Sequence, residues 1–173
     1  MRVAILSRGP SCALTWPMAP RYSYDIVMAI NCAIDLWQAD WLIAGDPVTL
    51  RKVRGKPRIG AVYRSDLLQP GEAPPECPPL MIDACVMPSP WPLSWSIETA
   101  VQFAVEWICA DWIDIYGHDL KPEVCGRPAV HAPGREVSDT PERYREEAKA
   151  TAKTFDHYRQ RATINVVGWS DDA

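Results

Sequence analysis

The sequence predicts an α/β fold: one domain, a mostly parallel sheet, and helices on both of its faces. Three observations carry this. Short apolar runs recur along the chain, at 3–6, 25–30, 41–44, 58–63, 112–116 and 163–167. Each run is nearly continuous rather than alternating, as in strands buried on both faces. Helical stretches fall between the runs, and strands alternating with helices make parallel sheets. The clearest helix lies within 95–108, where Ile97, Ala100, Val101, Ala104, Val105 and Ile108 recur at three- and four-residue steps. That is the one-sided stripe of a helix packed on a core. Glu98, Gln102 and Glu106 take its other face.

The elements follow in order. The first strand, 3–6, ends at a tight loop of Ser7, Arg8, Gly9, Pro10 and Ser11, residue types that break apolar runs. Residues 12–23 hold Pro17 and Pro20 and are expected to be irregular. The second strand ends at Asn31, and a short helix is expected over 33–38. The third strand ends at Gly45 and Asp46. Asp46 as N-cap and Pro47 at the first helical position start a helix over 47–53. A fourth strand covers 58–63. Residues 69–92 hold eight of the 17 prolines and form a loop, with a strand within 81–86. After the main helix, Asp111 breaks the pattern, and 112–116 is a strand ended by Gly117, His118 and Asp119. Residues 121–139 form a second loop rich in Pro, Gly and Arg. The last helix starts at Thr140-Pro141 and presents Tyr144, Ala148, Ala152, Phe155 and Tyr158. A strand over 163–167 closes the chain. No linker divides it, so residues 1–173 form one domain.

Composition narrows the function classes. Hydrophobic content of 47% and charged content of 23% are those of an ordinary globular protein. A net charge of −4 gives no general basic footprint, so general nucleic-acid binding is not expected. No apolar run approaches the ~20 residues that span a bilayer, and the opening run is too short for a signal peptide. Cys12, Cys32, Cys77, Cys85, Cys109 and Cys125 form no C-x-x-C pair and no zinc-site spacing with histidine. Reduced cysteines in a cytoplasmic protein are expected, and no metal site.

Four strand ends carry small or polar residues: 7–11, Asn31, Gly45-Asp46 and 117–119. In a parallel sheet these ends converge on one edge, where α/β folds bind ligands. A Gly-containing turn after the first strand can present backbone N–H groups to a phosphate. Asn31 and Asp46 suit a ribose or base. Each residue also fits the plain role of ending a strand. Neither the dinucleotide nor the P-loop glycine fingerprint is present. His118 and His131 are the candidate acid/base groups, since an unperturbed imidazole titrates near 6.5. Alternatively, His118 hydrogen-bonds to backbone at its strand end. His131, flanked by Arg127 and Arg135, either closes over an anionic substrate or is solvated. His157 is structural. Trp91 and Trp95 either anchor the core or stack on a base or sugar.

The order of these pieces resembles a known family. It runs strand, Gly9-Pro10-Ser11, then Tyr24-Asp25-Ile26-Val27-Met28-Ala29-Ile30-Asn31, then Asp40-Trp41 and Gly45-Asp46. Much later come Ser96, Thr99, a small-residue helix and Ile113-Asp114-Ile115-Tyr116-Gly117-His118-Asp119. This resembles the bacterial sialyltransferases that use CMP-sialic acid, and the related 6-hydroxymethylpterin pyrophosphokinase-like proteins, which share a Rossmann-like core. The resemblance implies a nucleotide-binding edge. The loop of Ser7, Arg8, Gly9, Pro10 and Ser11 would take the phosphate, and Asn31 and Asp46 the nucleoside. Ser94, Ser96 and Thr99 would line a helix N-terminus, with Gly117 and Asp119 completing the edge. His131 would be the general base toward an acceptor hydroxyl. The loop departs from the family in reading Ser7-Arg8 where a small residue and Asn usually precede the glycine.

Three readings follow. In the first, the chain is a glycosyltransferase-like enzyme that moves a sugar from a nucleotide-activated, CMP-linked donor to a hydroxyl, without metal. In the second, it is a pterin pyrophosphokinase-like enzyme using ATP and Mg²⁺, with Asp46 and Asp119 as ligands. In the third, it is a non-catalytic nucleotide-binding or sequestering protein. The expected partner is a nucleotide or nucleotide-sugar, and self-association into a homo-oligomer is compatible with each reading.

Overall fold

A computed structural model of the chain describes residues 1–45, 47–73, 80–89, 91–119 and 141–168. Seven strands form one sheet: β1 (Arg2–Leu6), β2 (Ile26–Ile30), β3 (Trp41–Ile43), β4 (Gly60–Tyr63), β5 (Met81–Asp83), β6 (Trp112–Tyr116) and β7 (Thr163–Val167). All six pairings are parallel. The order is β5-β4-β3-β2-β1-β6-β7. The chain winds outward from β1 to one edge, then crosses back over and continues on the other side with β6. The winding therefore reverses between β1 and β6. This is a single Rossmann-like α/β domain, as the apolar runs predict.

The strands are apolar on both faces because both are covered. Val3, Ile5, Met28, Ile43, Ile113 and Ile115 face one layer. There they meet α3 (Ser96–Glu106) and α4 (Pro141–Tyr158). Ala4, Leu6, Val27, Ala29, Leu42 and Ala61 face the other. That layer holds α1 (Pro10–Thr15), α2 (Pro47–Lys52) and short 3-10 turns. Ile113 and Ile115 are fully buried, and burying a side chain of this size stabilises by roughly 1.5–3 kcal/mol.

Three local expectations change. Residues 12–23 are not irregular: α1 starts at Pro10, and 3-10 turns follow at Trp16–Met18 and Arg21–Ser23. Gly9 takes the extended N-cap conformation and Pro10 the first turn, where its missing N–H costs nothing. The helix expected over 33–38 is a 3-10 turn, Asn31–Asp35. The polar side of α3 does not face water, since Glu98 and Gln102 are each 1% exposed. Glu98 accepts from the Ser94 and Trp95 N–H groups, both at 2.9 Å, and from Thr154 Oγ1 at 2.8 Å. Gln102 Nε2 donates to the Pro88 carbonyl. The α4 helix covers this face, and both Glu98 and Gln102 have partners there, as burial requires.

Candidate functional site

The reversal between β1 and β6 places two loops side by side at the carboxyl edge of the sheet, the position where open α/β sheets bind ligands. Ser7 N donates to Tyr116 O at 2.8 Å, and Gly9 N to Gly117 O at 2.9 Å. Asp119 then reaches across. Its Oδ2 accepts from Ser11 N at 2.7 Å and its Oδ1 from Ser11 Oγ at 2.5 Å. The loop expected to cradle a phosphate thus has the Gly9 and Ser11 amides bonded within the protein. A carboxylate holds the Ser11 seat, as negative charge is drawn to the start of a helix.

Asn31 ends β2 in the left-handed conformation, φ 52°, which asparagine tolerates better than most residues. Its Oδ1 is buried without a hydrogen-bond partner among the described residues. By register, Ile30 pairs with Ile43, so Asn31 stands beside the end of β3. There Gly45 N donates to Ser96 Oγ at 3.1 Å, which brings the start of α3 onto the same edge. Ser96 is therefore at the site. Ser94 is exposed, with its N–H bound by Glu98. Thr99 is buried, and its Oγ1 turns back to the Trp95 carbonyl at 3.4 Å. Asp46 and His131 lie outside the described residues.

His118 also stands at this edge, but its ring is turned into the protein. Its Nε2 lies 3.4 Å from Thr151 Oγ1 on α4, and its ring centroid is 5.8 Å from that of Phe155. Its partner is a side chain, not the strand-end backbone expected as the alternative. Burial pushes its pKa down to about 4, so the imidazole is neutral at physiological pH. A general base works best with a pKa near the working pH, and His118 is a poor candidate on that count. Between about pH 6.5 and 4 the unfolded chain binds a proton that the native state refuses. Stability must therefore fall as pH drops through this window. His118→Gln keeps a hydrogen bond to Thr151 and removes the titration. Melting curves across this range should show wild type losing on the order of 3 kcal/mol relative to the variant. Parallel curves would refute the assignment.

Trp91 and Trp95 are engaged by α4. Lys153 Nζ sits 4.2 Å from the Trp91 ring centre, and the Arg143 guanidinium 5.3 Å from that of Trp95. The His157 ring is edge-on to Trp91 at 5.2 Å, the structural role expected for it. These aromatics pin the loop before α3 to the last helix by cation–π contact.

One polar centre was not singled out from the sequence. Asp114, in the middle of β6 and 4% exposed, accepts from Arg2, Tyr24, Trp112 and Asn165. The Tyr24 hydroxyl is also 2.6 Å from that of Tyr116. Burial pushes the Asp114 carboxyl up, but these donors hold it below the usual carboxylate range. With both oxygens committed, Asp114 is structural. A lone polar residue inside an apolar strand was its only signal.

Among the described residues no group of three or more His, Cys, Asp or Glu is placed to hold a metal ion. Cys12, Cys32, Cys85 and Cys109 are free thiols. No helix there is long and apolar enough to cross a membrane. No family model, curated protein or solved structure matches this chain.

Proposed function

We propose that this chain binds a nucleotide, of the kind that carries an activated sugar, at the carboxyl edge of β1, β2, β3 and β6. The observation that supports it most is the reversal of winding between β1 and β6. It gathers Ser7, Gly9, Ser11, Gly117 and Asp119 at the place where such folds take ligands. Asn31 adds a buried carbonyl oxygen with no partner among the described residues, suited to a ribose hydroxyl or an exocyclic amine. In the transferase reading, binding orients the donor, and the proton is taken by His131, the residue that the family resemblance implies. A non-catalytic nucleotide-binding protein is the second reading, favoured by the withdrawal of His118 onto α4.

The test is thermal stability against CMP, CDP, UDP, GDP, ATP and CMP-sialic acid, with and without Mg²⁺. A ligand that binds only the native state must raise the melting temperature. A cytidine-selective rise without metal supports the donor site, and a rise with ATP only in Mg²⁺ supports the pyrophosphokinase-like alternative. No rise with any nucleotide refutes the reading. Asn31→Gly relieves the left-handed backbone and removes the oxygen. It should hold or raise the basal melting temperature while shrinking the nucleotide-induced rise. For the transferase reading, His131→Ala should abolish transfer and leave the rise intact.

A further inference from the structure

A cavity opens at the amino edge of the sheet, opposite the carboxyl edge. Its volume is about 350 Å³, and its walls include Trp16, Arg21, Tyr24, Asp25, Asp40 and Arg58. That is the small end of the range for ligand sites. The residues come from the starts of β2, β3 and β4 and from the turns after α1.

Its charges sort into those already matched and those that are not. Asp40 accepts from Val27 N at 2.8 Å and pairs with Arg58 Nε at 3.1 Å. That couple is internally neutral. Asp25 gives one oxygen, Oδ2, to the Arg2 N–H at 2.7 Å, and no donor among the described residues takes its Oδ1. Arg21 makes no side-chain hydrogen bond or ion pair among the described residues. Its guanidinium instead stacks 5.1 Å from the Trp16 ring centre and 6.0 Å from that of Trp37. Contact with the two rings holds the exposed guanidinium at the cavity and leaves its donors for a planar anion. The cavity is left with one oriented cation and one half-used carboxylate.

We propose that this cavity is a binding site for a small zwitterion of the α-amino-acid class. Its carboxylate is held by the Arg21 fork and its ammonium by Asp25. A simple anion would meet Asp25 and Asp40, and a simple cation would meet Arg21. Only a ligand carrying both charges satisfies both walls.

The experiment measures thermal stability and titration calorimetry with a panel of free amino acids at about 10 mM, where a weak native-state ligand still shifts melting. For each, the matching carboxylic acid and the matching amine serve as controls. The expected result is a rise with one or more amino acids and none with its acid-only or amine-only counterpart. Arg21→Met, which keeps contact with Trp16, and Asp25→Asn, which can still accept from Arg2 N, should each weaken binding at least tenfold. Circular dichroism confirms that both variants are folded. No response to any amino acid, an equal response to the acid alone, or affinity unchanged in both variants would overturn the proposal. The nucleotide-induced rise in Arg21→Met should equal that of wild type, so the two sites fail or stand separately.

Discussion

Asp114→Ala is expected to cost about 3–5 kcal/mol of stability and to lower the melting temperature by roughly 10–15 °C. The reason is how many donors converge on one carboxylate. Arg2 Nη2 and Tyr24 OH reach Oδ2 at 2.7 and 2.8 Å, and Trp112 Nε1 and Asn165 Nδ2 both reach Oδ1 at 2.9 Å. Removing the carboxylate leaves each of them without its acceptor. Arg2 and Trp112 are partly exposed and can turn to water. Tyr24 keeps the Tyr116 hydroxyl at 2.6 Å, but half-buried Asn165 loses its acceptor, and a donor left unpaired there carries a desolvation penalty. Asp114→Asn keeps the acceptor for Trp112 and Asn165 but turns an amide toward Arg2 and Tyr24, so its cost should be intermediate. The pH dependence has a fixed sign. A carboxyl held below its ordinary value in the native state stabilises above the unfolded pKa and loses that contribution as pH falls through the folded one. Wild type should therefore lose stability below about pH 4 through this group, and Asp114→Asn should lack that component. Urea denaturation of the three proteins decides it, and a cost under about 1 kcal/mol for Asp114→Ala would show that the network is replaceable by water.

The same residue shows where sequence reading stops. The strands were legible because a parallel strand covered on both faces has to be apolar along its length. The expected bounds match β6 and β7 to the residue, although Asp114 interrupts the first and the second is a half-exposed edge strand. The carboxyl edge was legible too, since whatever ends such a strand lies there. The partners of Asp114 were not. They stand between 2 and 112 residues away in the chain, and only the strand order brings them together.

The misreadings have the same origin. Glu98 and Gln102 sit where helical periodicity puts a solvent face, but α4 packs on that face and supplies Thr154. His118 was placed correctly at a strand end. Its direction was set by Thr151, 33 residues on. The α1 helix was missed for a local reason, because six residues are too few to show a stripe. Its Gly9-Pro10 start reads from sequence only as part of the tight loop after the first strand. The amino-edge cavity draws on three strand starts and a proline-rich turn, so no contiguous motif announced it.

Gly117→Ala, at the candidate site, should cost about 3–5 kcal/mol. Two effects add. Gly117 has φ 71°, a left-handed backbone that costs an alanine about 1–2 kcal/mol. A Cβ there would also stand 2.5 Å from Cys12 Cβ, 3.0 Å from Ser7 O and 3.1 Å from Gly9 O. None of these is the yielding tip of a long side chain. Cys12 is buried in α1, and the two carbonyls belong to the loop that Gly117 itself closes. Gly71→Ala separates the two effects. That residue has φ 80° with nothing within 4 Å of a Cβ, so its alanine should show the backbone cost alone, about 1–2 kcal/mol. The excess at Gly117 then measures the contact between α1 and the end of β6. Cys12→Gly removes the atom that would clash, and in combination with Gly117→Ala it should recover part of that excess as a coupling energy. Equal costs at Gly117 and Gly71 would mean that the β1 and β6 loops are loosely apposed. A large, Cys12-dependent excess would mean that the floor of the candidate site is rigid, set by glycine where no side chain fits.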